Sequence, residues 1–321
     1  MTLSNVIGQD RAKQMFALLS RGLDRRGKLP SIGIFGPSGL GKTHLVNEWA
    51  NEIGAKLVYI NGTAVKDALA FRTYFQDAQK EGQDYFLVFI DEAHMLPKKV
   101  QENMLSVLED PAVLCTVAPK EIGNVQCVDG MRWIEKGDMI REYLPTNMSF
   151  IFATTDPAKL KNTILNRLRK IQLEPYTLEH KIEIAMAHLV TEGVQSDLTI
   201  YEALAQRSRN IRHLKGDLCE TYSDITNLFG GNNQSKLKRL DEMLGIDADG
   251  ATDMDRDYME YLARHKIAGV DTLAGRLQTD KLDLMTRVEP FLMERGWIAI
   301  TGKGRVLTEA GRHKIFGEPN D

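Results

Sequence analysis

Apolar residues in this chain fall into short unbroken runs, separated by longer stretches in which they recur at helical spacing. The runs 32–35 and 85–90 are continuous, without polar alternation, and 148–153 and 171–173 read as further strands. A strand of that kind is buried on both faces, so these runs predict the middle of a parallel sheet sandwiched by helices. Between the first two, Leu45, Val46, Trp49, Ala50 and Ile53 recur as one face of a helix over 44–53. Between 110 and 147 the pattern weakens to short strands at 113–117, 125–128, 131–134 and 139–143, enough for one or two hairpins. Past residue 173 it becomes helical throughout. Helices are expected over 178–192, over 201–209, and from Asn210-Ile211-Arg212 to Phe229, before a turn-rich Gly230-Gly231-Asn232-Asn233. Three more follow at 258–265, 270–277 and 282–295, the last stopped by Gly296. The segments 297–300 and 305–308 then flank Thr301-Gly302-Lys303-Gly304, a β-hairpin with a basic glycine-rich tip. Helices leading into such a hairpin make a winged helix.

With 321 residues the chain has room for two or three domains. Its formal net charge of −3 advertises no global basic surface, so any nucleic-acid contact must be a local patch. Cys115, Cys127 and Cys219 are too few and too scattered for a disulfide framework or a zinc cluster, and read as buried thiols. Residues 1–10 lack the apolar core of a signal peptide, and no apolar run approaches the roughly 20 residues that span a bilayer. A cytoplasmic protein that avoids membranes is expected.

The first apolar run leads into Gly36-Pro37-Ser38-Gly39-Leu40-Gly41-Lys42-Thr43, which fits the phosphate-binding pattern G-x-x-x-x-G-K-[ST] at every fixed position. Glycines let backbone N–H groups turn inward toward phosphate oxygens, and the following helix adds its dipole. Lys42 would reach the β- and γ-phosphates and Thr43 would ligate Mg²⁺, which makes the expected ligand ATP with Mg²⁺. The second run ends in Asp91-Glu92-Ala93-His94. Open α/β sheets bind ligands at the carboxyl ends of their strands, so Asp91 is placed to hold Mg²⁺ and Glu92 to polarise the attacking water. The third run ends in Thr154-Thr155-Asp156, where a hydroxyl can sense the γ-phosphate. An arginine in Asn166-Arg167-Leu168-Arg169 suits a finger that enters a neighbouring subunit's site, and Arg212 could close onto the phosphates. Lys303, Arg305 and Arg312, with Lys314 nearby, supply the local basic patch for DNA phosphates.

This order of features resembles the AAA+ ATPases, and within them the RuvB family of bacterial Holliday-junction branch-migration motors. The similar residues include 36–45, 50–54, Ala153-Thr154-Thr155, Leu173-Glu174-Pro175-Tyr176-Thr177, Arg207-Ser208-Arg209, 240–250 and Met254-Asp255-Arg256. Val6-Ile7-Gly8-Gln9 resembles the adenine-pocket segment. The resemblance implies an α/β P-loop core over 1–172, a small helical lid over 173–239 and a C-terminal winged helix over 240–317. It places Ile7, Gly36, Pro37, Gly39, Leu40, Gly41, Lys42, Thr43, His44, Tyr176 and Arg212 around the nucleotide. Thr155 becomes the first sensor, Arg167 the finger with Arg169 as competitor, and Arg212 the second sensor. It further implies a hexameric ring on duplex DNA or four-way junctions, and a RuvA-like partner.

The likeness is weakest over 110–147, where RuvB engages its junction-recognition partner, so that partnership stays open. Phe152 stands where the family has glycine, and Ala93 where it has isoleucine. A diverged relative, as a phage would encode, fits this pattern. Two other readings stay open: an AAA+ loader or initiator, and a nucleotide-gated DNA-binding adaptor. A clamp loader should end in a helical collar, which the hairpin at 301–305 contradicts, and the extra core helix of initiators is not visible between Gly62 and Tyr85.

Overall fold

The computed structural model describes residues 3–66, 85–108 and 147–317, together with the backbone of three short strands between 113 and 143. The chain divides into two compact units, Met1–Thr177 and Leu178–Asp321.

The first unit is built on a five-stranded parallel sheet of order β2-β3-β7-β1-β8. Its strands are β1 (Ile32–Phe35), β2 (Lys56–Asn61), β3 (Phe86–Asp91), β7 (Met148–Thr154) and β8 (Arg169–Gln172). The three central strands β3, β7 and β1 are the most apolar, all of β1 and β7 is buried, and the short helix α4 (Asn162–Leu165) leads into β8. Successive side chains of a strand alternate between faces. Phe86, Val88, Ile90, Phe150 and Phe152 therefore join one core with Met104 of α3 (Lys98–Val107). Leu87, Phe89, Ile151 and Ala153 join the other, with Phe16 of α1 (Asp10–Arg26) and Trp49 of α2 (Lys42–Glu52). Phe16 and Trp49 pack with their rings tilted, 4.5 Å between centroids, and the Trp49 indole N–H donates to Ser20 Oγ.

Apart from this sheet, β4 (Val113–Val117), β5 (Arg132–Lys136) and β6 (Met139–Tyr143) form a small antiparallel sheet of order β4-β6-β5. The hairpin expectation for 113–117, 131–134 and 139–143 is met in the backbone. The expected strand at 125–128 lies outside the described residues, as does the segment 67–84 bearing on the initiator reading.

The second unit opens with α5 (Leu178–Thr191), α6 (Leu198–Arg207), a π-helical turn at His213–Cys219 running into α7 (Glu220–Leu228), and α8 (Asn233–Leu244). The glycine pair at 230–231 is a short turn between α7 and α8, with Asn232 capping α8 through the Ser235 N–H. Next come α9 (Asp253–His265) and α10 (Val270–Leu277). The expected helix over 282–295 is composite: α11 (Lys281–Asp283), a π turn at Leu284–Val288 and α12 (Glu289–Glu294). Pro290 explains the wide turn, because its ring lacks an N–H and crowds the carbonyl four residues earlier. Gly296 ends the run at φ 69°, in the left-handed conformation that closes helices. The hairpin β9 (Ile298–Thr301) and β10 (Gly304–Leu307) and the helix α13 (Glu309–Phe316) complete the winged helix.

Ion pairs among the described residues lock the early helices of this unit to the later ones, including Lys181 with Glu294 at 3.0 Å. Arg207 donates two bonds to Asp241, at 2.7 and 2.9 Å, and Arg209 pairs with Asp255, which is fully buried. Asp255 also closes a capping box with Thr252 at the start of α9. Among the described residues no helix is long and apolar enough to cross a membrane. Cys219 is buried, and burial pushes its thiol up to about 12, so it stays protonated.

Removing one member of a buried pair leaves the other charge without compensation and costs about 3–5 kcal/mol. Asp255→Ala also deletes a helix cap, so its urea midpoint should fall clearly below that of the parent chain. An unchanged midpoint would show that the Arg209 contact contributes nothing to stability.

Candidate nucleotide site and wing

The phosphate loop lies between β1 and α2, at the carboxyl ends of the central strands. Gly41 sits at φ 80° immediately before the helix, a conformation that costs an L-residue steric strain. A side chain there would also meet the Tyr176 hydroxyl, about 3.1 Å from the position of its Cβ. Tyr176 Oη donates to the Leu40 carbonyl at 3.3 Å, and burial raises its pKa, so the phenol remains a donor. Lys42 is buried, with its ammonium donating to the Gly36 and Pro37 carbonyls at 2.8 and 3.0 Å. His44 is exposed on the first turn of α2. Ile7 is half-buried beside Gln9. The Gln9 side chain accepts from the Glu174 N–H and donates to the Glu174 carbonyl, tying the N-terminal segment to the stretch that carries Tyr176.

At the end of β3, Asp91 Oδ2 accepts from Thr43 Oγ1 at 3.2 Å and from Tyr59 Oη at 3.1 Å. The two proposed Mg²⁺ ligands are thus already adjacent. The Tyr59 phenol is held protonated by its partial burial and by the Asp91 charge. Glu92 adopts φ 47°, left-handed and uncommon for a non-glycine residue. Its Oε2 accepts from Thr155 Oγ1 at 3.4 Å and lies 3.3 Å from His94 Nδ1. Gly62, at the end of β2, donates its N–H to the Asp91 carbonyl, and a Cβ at this position would stand 2.5 Å from the Glu92 carbonyl oxygen. The structure therefore brings Lys42, Thr43, Asp91, Glu92, Thr155 and Tyr176 together on one edge of the sheet.

Three expected residues are not part of this set. Arg167 and Arg169 are exposed near the amino end of β8, away from the strand carboxyl ends, and Arg167 donates to the Thr163 carbonyl. Arg212 belongs to the second unit, exposed just before the π turn at His213–Cys219.

At the wing, Arg305 is engaged within the domain and is not free at the hairpin tip. Its guanidinium makes a two-pronged pair with Glu289, at 2.8 and 3.1 Å, and Glu289 is buried. Tyr258 Oη donates to the same carboxylate at 2.9 Å. Strand alternation explains this, since Arg305 is set back from the tip and pairs with Ile300, on the face turned toward the helices. Lys314 is likewise occupied, by Asp247 and Asp249. Lys303 and Arg312 are exposed.

Residues 32–176 match the ATPase family associated with various cellular activities, AAA, and residues 248–315 match the RuvB C-terminal winged helix domain. The chain carries an AAA ATPase domain and resembles RuvB. A Holliday junction branch migration complex subunit RuvB from Prochlorococcus marinus is 27% identical over 98% of this chain and 86% of its own length. The one from Mesomycoplasma hyopneumoniae is 26% identical over 98% of this chain and 95% of its own. The solved structure of the Thermotoga maritima RuvB Holliday junction branch migration motor covers 99% of this chain and 98% of its own, at TM-score 0.75 and 24% identity. The AAA+ architecture and winged helix expected from the resemblance are present, and with them a nucleotide site.

Within this RuvB-like site, sequence reasoning missed Tyr59 and gave no role to His94 or to the Gln9 amide. Tyr59 has a faint signal, as a polar-tipped residue two positions before the end of a strand. The others depend on long-range geometry. Arg305→Ala should lower the urea midpoint by an amount equivalent to about 3–5 kcal/mol, because Glu289 is left buried without its partner. Lys303→Ala, an exposed change, should stay within about 0.5 kcal/mol of the parent. Equal effects of the two substitutions would contradict a stabilising role for the Arg305–Glu289 pair.

Proposed function

We propose that this chain is an ATP-driven DNA translocase of RuvB type, which forms a hexameric ring on duplex DNA and drives branch migration of Holliday junctions. The observation that carries the reading is the convergence of Lys42, Thr43, Asp91, Glu92 and Thr155 on one sheet edge, in a chain that also has the RuvB winged helix. Thr43 and Asp91 would hold Mg²⁺, which supplies charge neutralisation at the β- and γ-phosphates. Their contact at 3.2 Å fits that role, since it sets the two oxygens side by side. Lys42 would exchange its carbonyl partners for phosphate oxygens. Glu92 accepts the proton of the attacking water, and Thr155 holds the carboxylate and reports the γ-phosphate.

Arg167 serves as the finger toward a neighbouring subunit, with Arg169 as the competitor, and Arg212 acts as the second sensor. A positive guanidinium from outside the subunit makes hydrolysis depend on assembly, by a factor of about 10³–10⁵. Lys303 and Arg312 supply backbone contacts to DNA, which suit a motor that must accept any sequence. The antiparallel sheet β4-β6-β5 occupies the segment in which a RuvA-like partner would dock. Such a protein works in the cytoplasm, where the DNA is.

Glu92→Gln should retain ATP binding while hydrolysing it at least about 100-fold more slowly, measured by nucleotide affinity and by phosphate release. Near-normal turnover would refute the role of Glu92. On a synthetic four-way junction, the protein with ATP should resolve the strands into duplex products, with and without a RuvA protein being compared. Tight DNA binding with ATP turnover but no strand movement would favour the loader or adaptor reading instead.

A further inference from the structure

We propose that His94 is a positioning residue for the hydrolysis, acting through Glu92 by pinning one carboxylate oxygen to the end of β7. The proposal rests on the ATPase reading above. His94 follows Glu92 by two residues, in the one-turn helix Ala93–Met95, and its side chain is only 10% exposed. Its Nδ1 lies 2.9 Å from Thr154 Oγ1 and 3.3 Å from Glu92 Oε2.

The surroundings determine which way the hydrogen points. An ionised Glu92 carboxylate only accepts, so a bare ring nitrogen facing it would place two lone pairs together. Nδ1 therefore carries the hydrogen and presents it to both oxygens. Thr154 Oγ1 can take this bond, since a hydroxyl has two acceptor positions and the Asp156 N–H uses the other at 3.0 Å. Glu92 Oε2 then has two donors, Thr155 Oγ1 and His94 Nδ1, while Oε1 has no hydrogen bond among the described residues. That leaves Oε1 as the oxygen that receives the proton from water.

The stem of Glu92 is fixed as tightly as its tip. Its N–H donates to Asp91 Oδ1 at 3.0 Å, its carbonyl accepts from the Met95 N–H at 2.8 Å, and its φ is 47°. Thr154 is the last residue of β7, fully buried and in register with Phe35, which immediately precedes the phosphate loop. His94 thus links the aim of the carboxylate to the strand end that lies beside the loop. A base displaced by about 1 Å from its productive geometry loses on the order of 10²-fold in rate, so this link is large enough to matter.

The test is steady-state ATP turnover with four variants. His94→Ala should lower kcat by about 10- to 100-fold, with KM for ATP and nucleotide affinity within about twofold of the parent. His94→Asn should recover most of that loss, because its amide N–H stands the same number of bonds from the backbone as Nδ1. His94→Gln, whose amide reaches one bond further, should not. A parental kcat in the Ala variant would overturn the proposal, as would equal losses in Asn and Gln that track a fall in thermal stability, or a raised KM with kcat unchanged. Retained nucleotide binding shows that each variant is folded. Glu92→Gln, run alongside, separates the two levels: if it turns over normally the ATPase reading fails, whereas if it is inactive and His94→Ala is normal, only the role of His94 fails.

Discussion

A strand buried on both faces of a sheet cannot slide along its neighbours, because a shift of one residue would turn every side chain into the opposite layer. β1, β3 and β7 are under that constraint. Phe35 is held level with Thr154, Ile90 with Phe152, and Asn61 of β2 with Asp91. All five strands run the same way, so fixing register fixes where their carboxyl ends finish. The phosphate loop, the Asp91–Glu92 pair and the Thr154–Thr155 pair are the continuations of three adjacent ends. Their mutual distances of about 3 Å need no separate explanation once the two cores on either side of the sheet are in place. The left-handed Glu92 is the local cost of ending a strand there, on the order of 1–3 kcal/mol. Asp91, Met95 and the bare backbone of Gly62 hold it in that conformation.

This dependence explains what could be read in advance. The strands were legible because burial on both faces leaves a continuous apolar run, and the loop because its glycines are required by chemistry at fixed spacing. Helix ends were less legible: α9 begins at Asp253, not 258, because the capping box of Thr252 and Asp255 starts it earlier than its apolar residues suggest. The composite helix over 281–294 was read as continuous although Pro290 was visible, since apolar spacing does not record which hydrogen bonds a proline removes. Within the site, residues acting by type and spacing were found, namely Lys42, Thr43, Asp91 and Glu92. Residues acting by contact across the sequence were not: Tyr59 meets Asp91 across 32 positions, and His94 meets Thr154 across 60. No periodicity within one segment encodes such a meeting.

The same limit applies at the wing. Read along the sequence, Lys303, Arg305, Arg312 and Lys314 form a basic cluster with few acids between them. Read in space, two of the four are neutralised by acids brought from elsewhere: Glu289 for Arg305, Asp247 and Asp249 for Lys314. Arg207 and Arg209 follow the same pattern with Asp241 and Asp255. Most of these arginines and acids lie in the motifs that carried the RuvB resemblance, 207–209, 240–250 and 254–256. Those motifs thus act in the second unit as charge pairs joining its helices, a structural duty that would keep their residue types together whatever the hairpin touches. Buried pairs of this kind fix geometry more than they add stability, because desolvation offsets much of their attraction. A unit whose helices are joined by directional charge pairs resists deformation. Lys303 and Arg312 are the two of the four left exposed, so the basic surface at this hairpin is smaller than the sequence alone suggests.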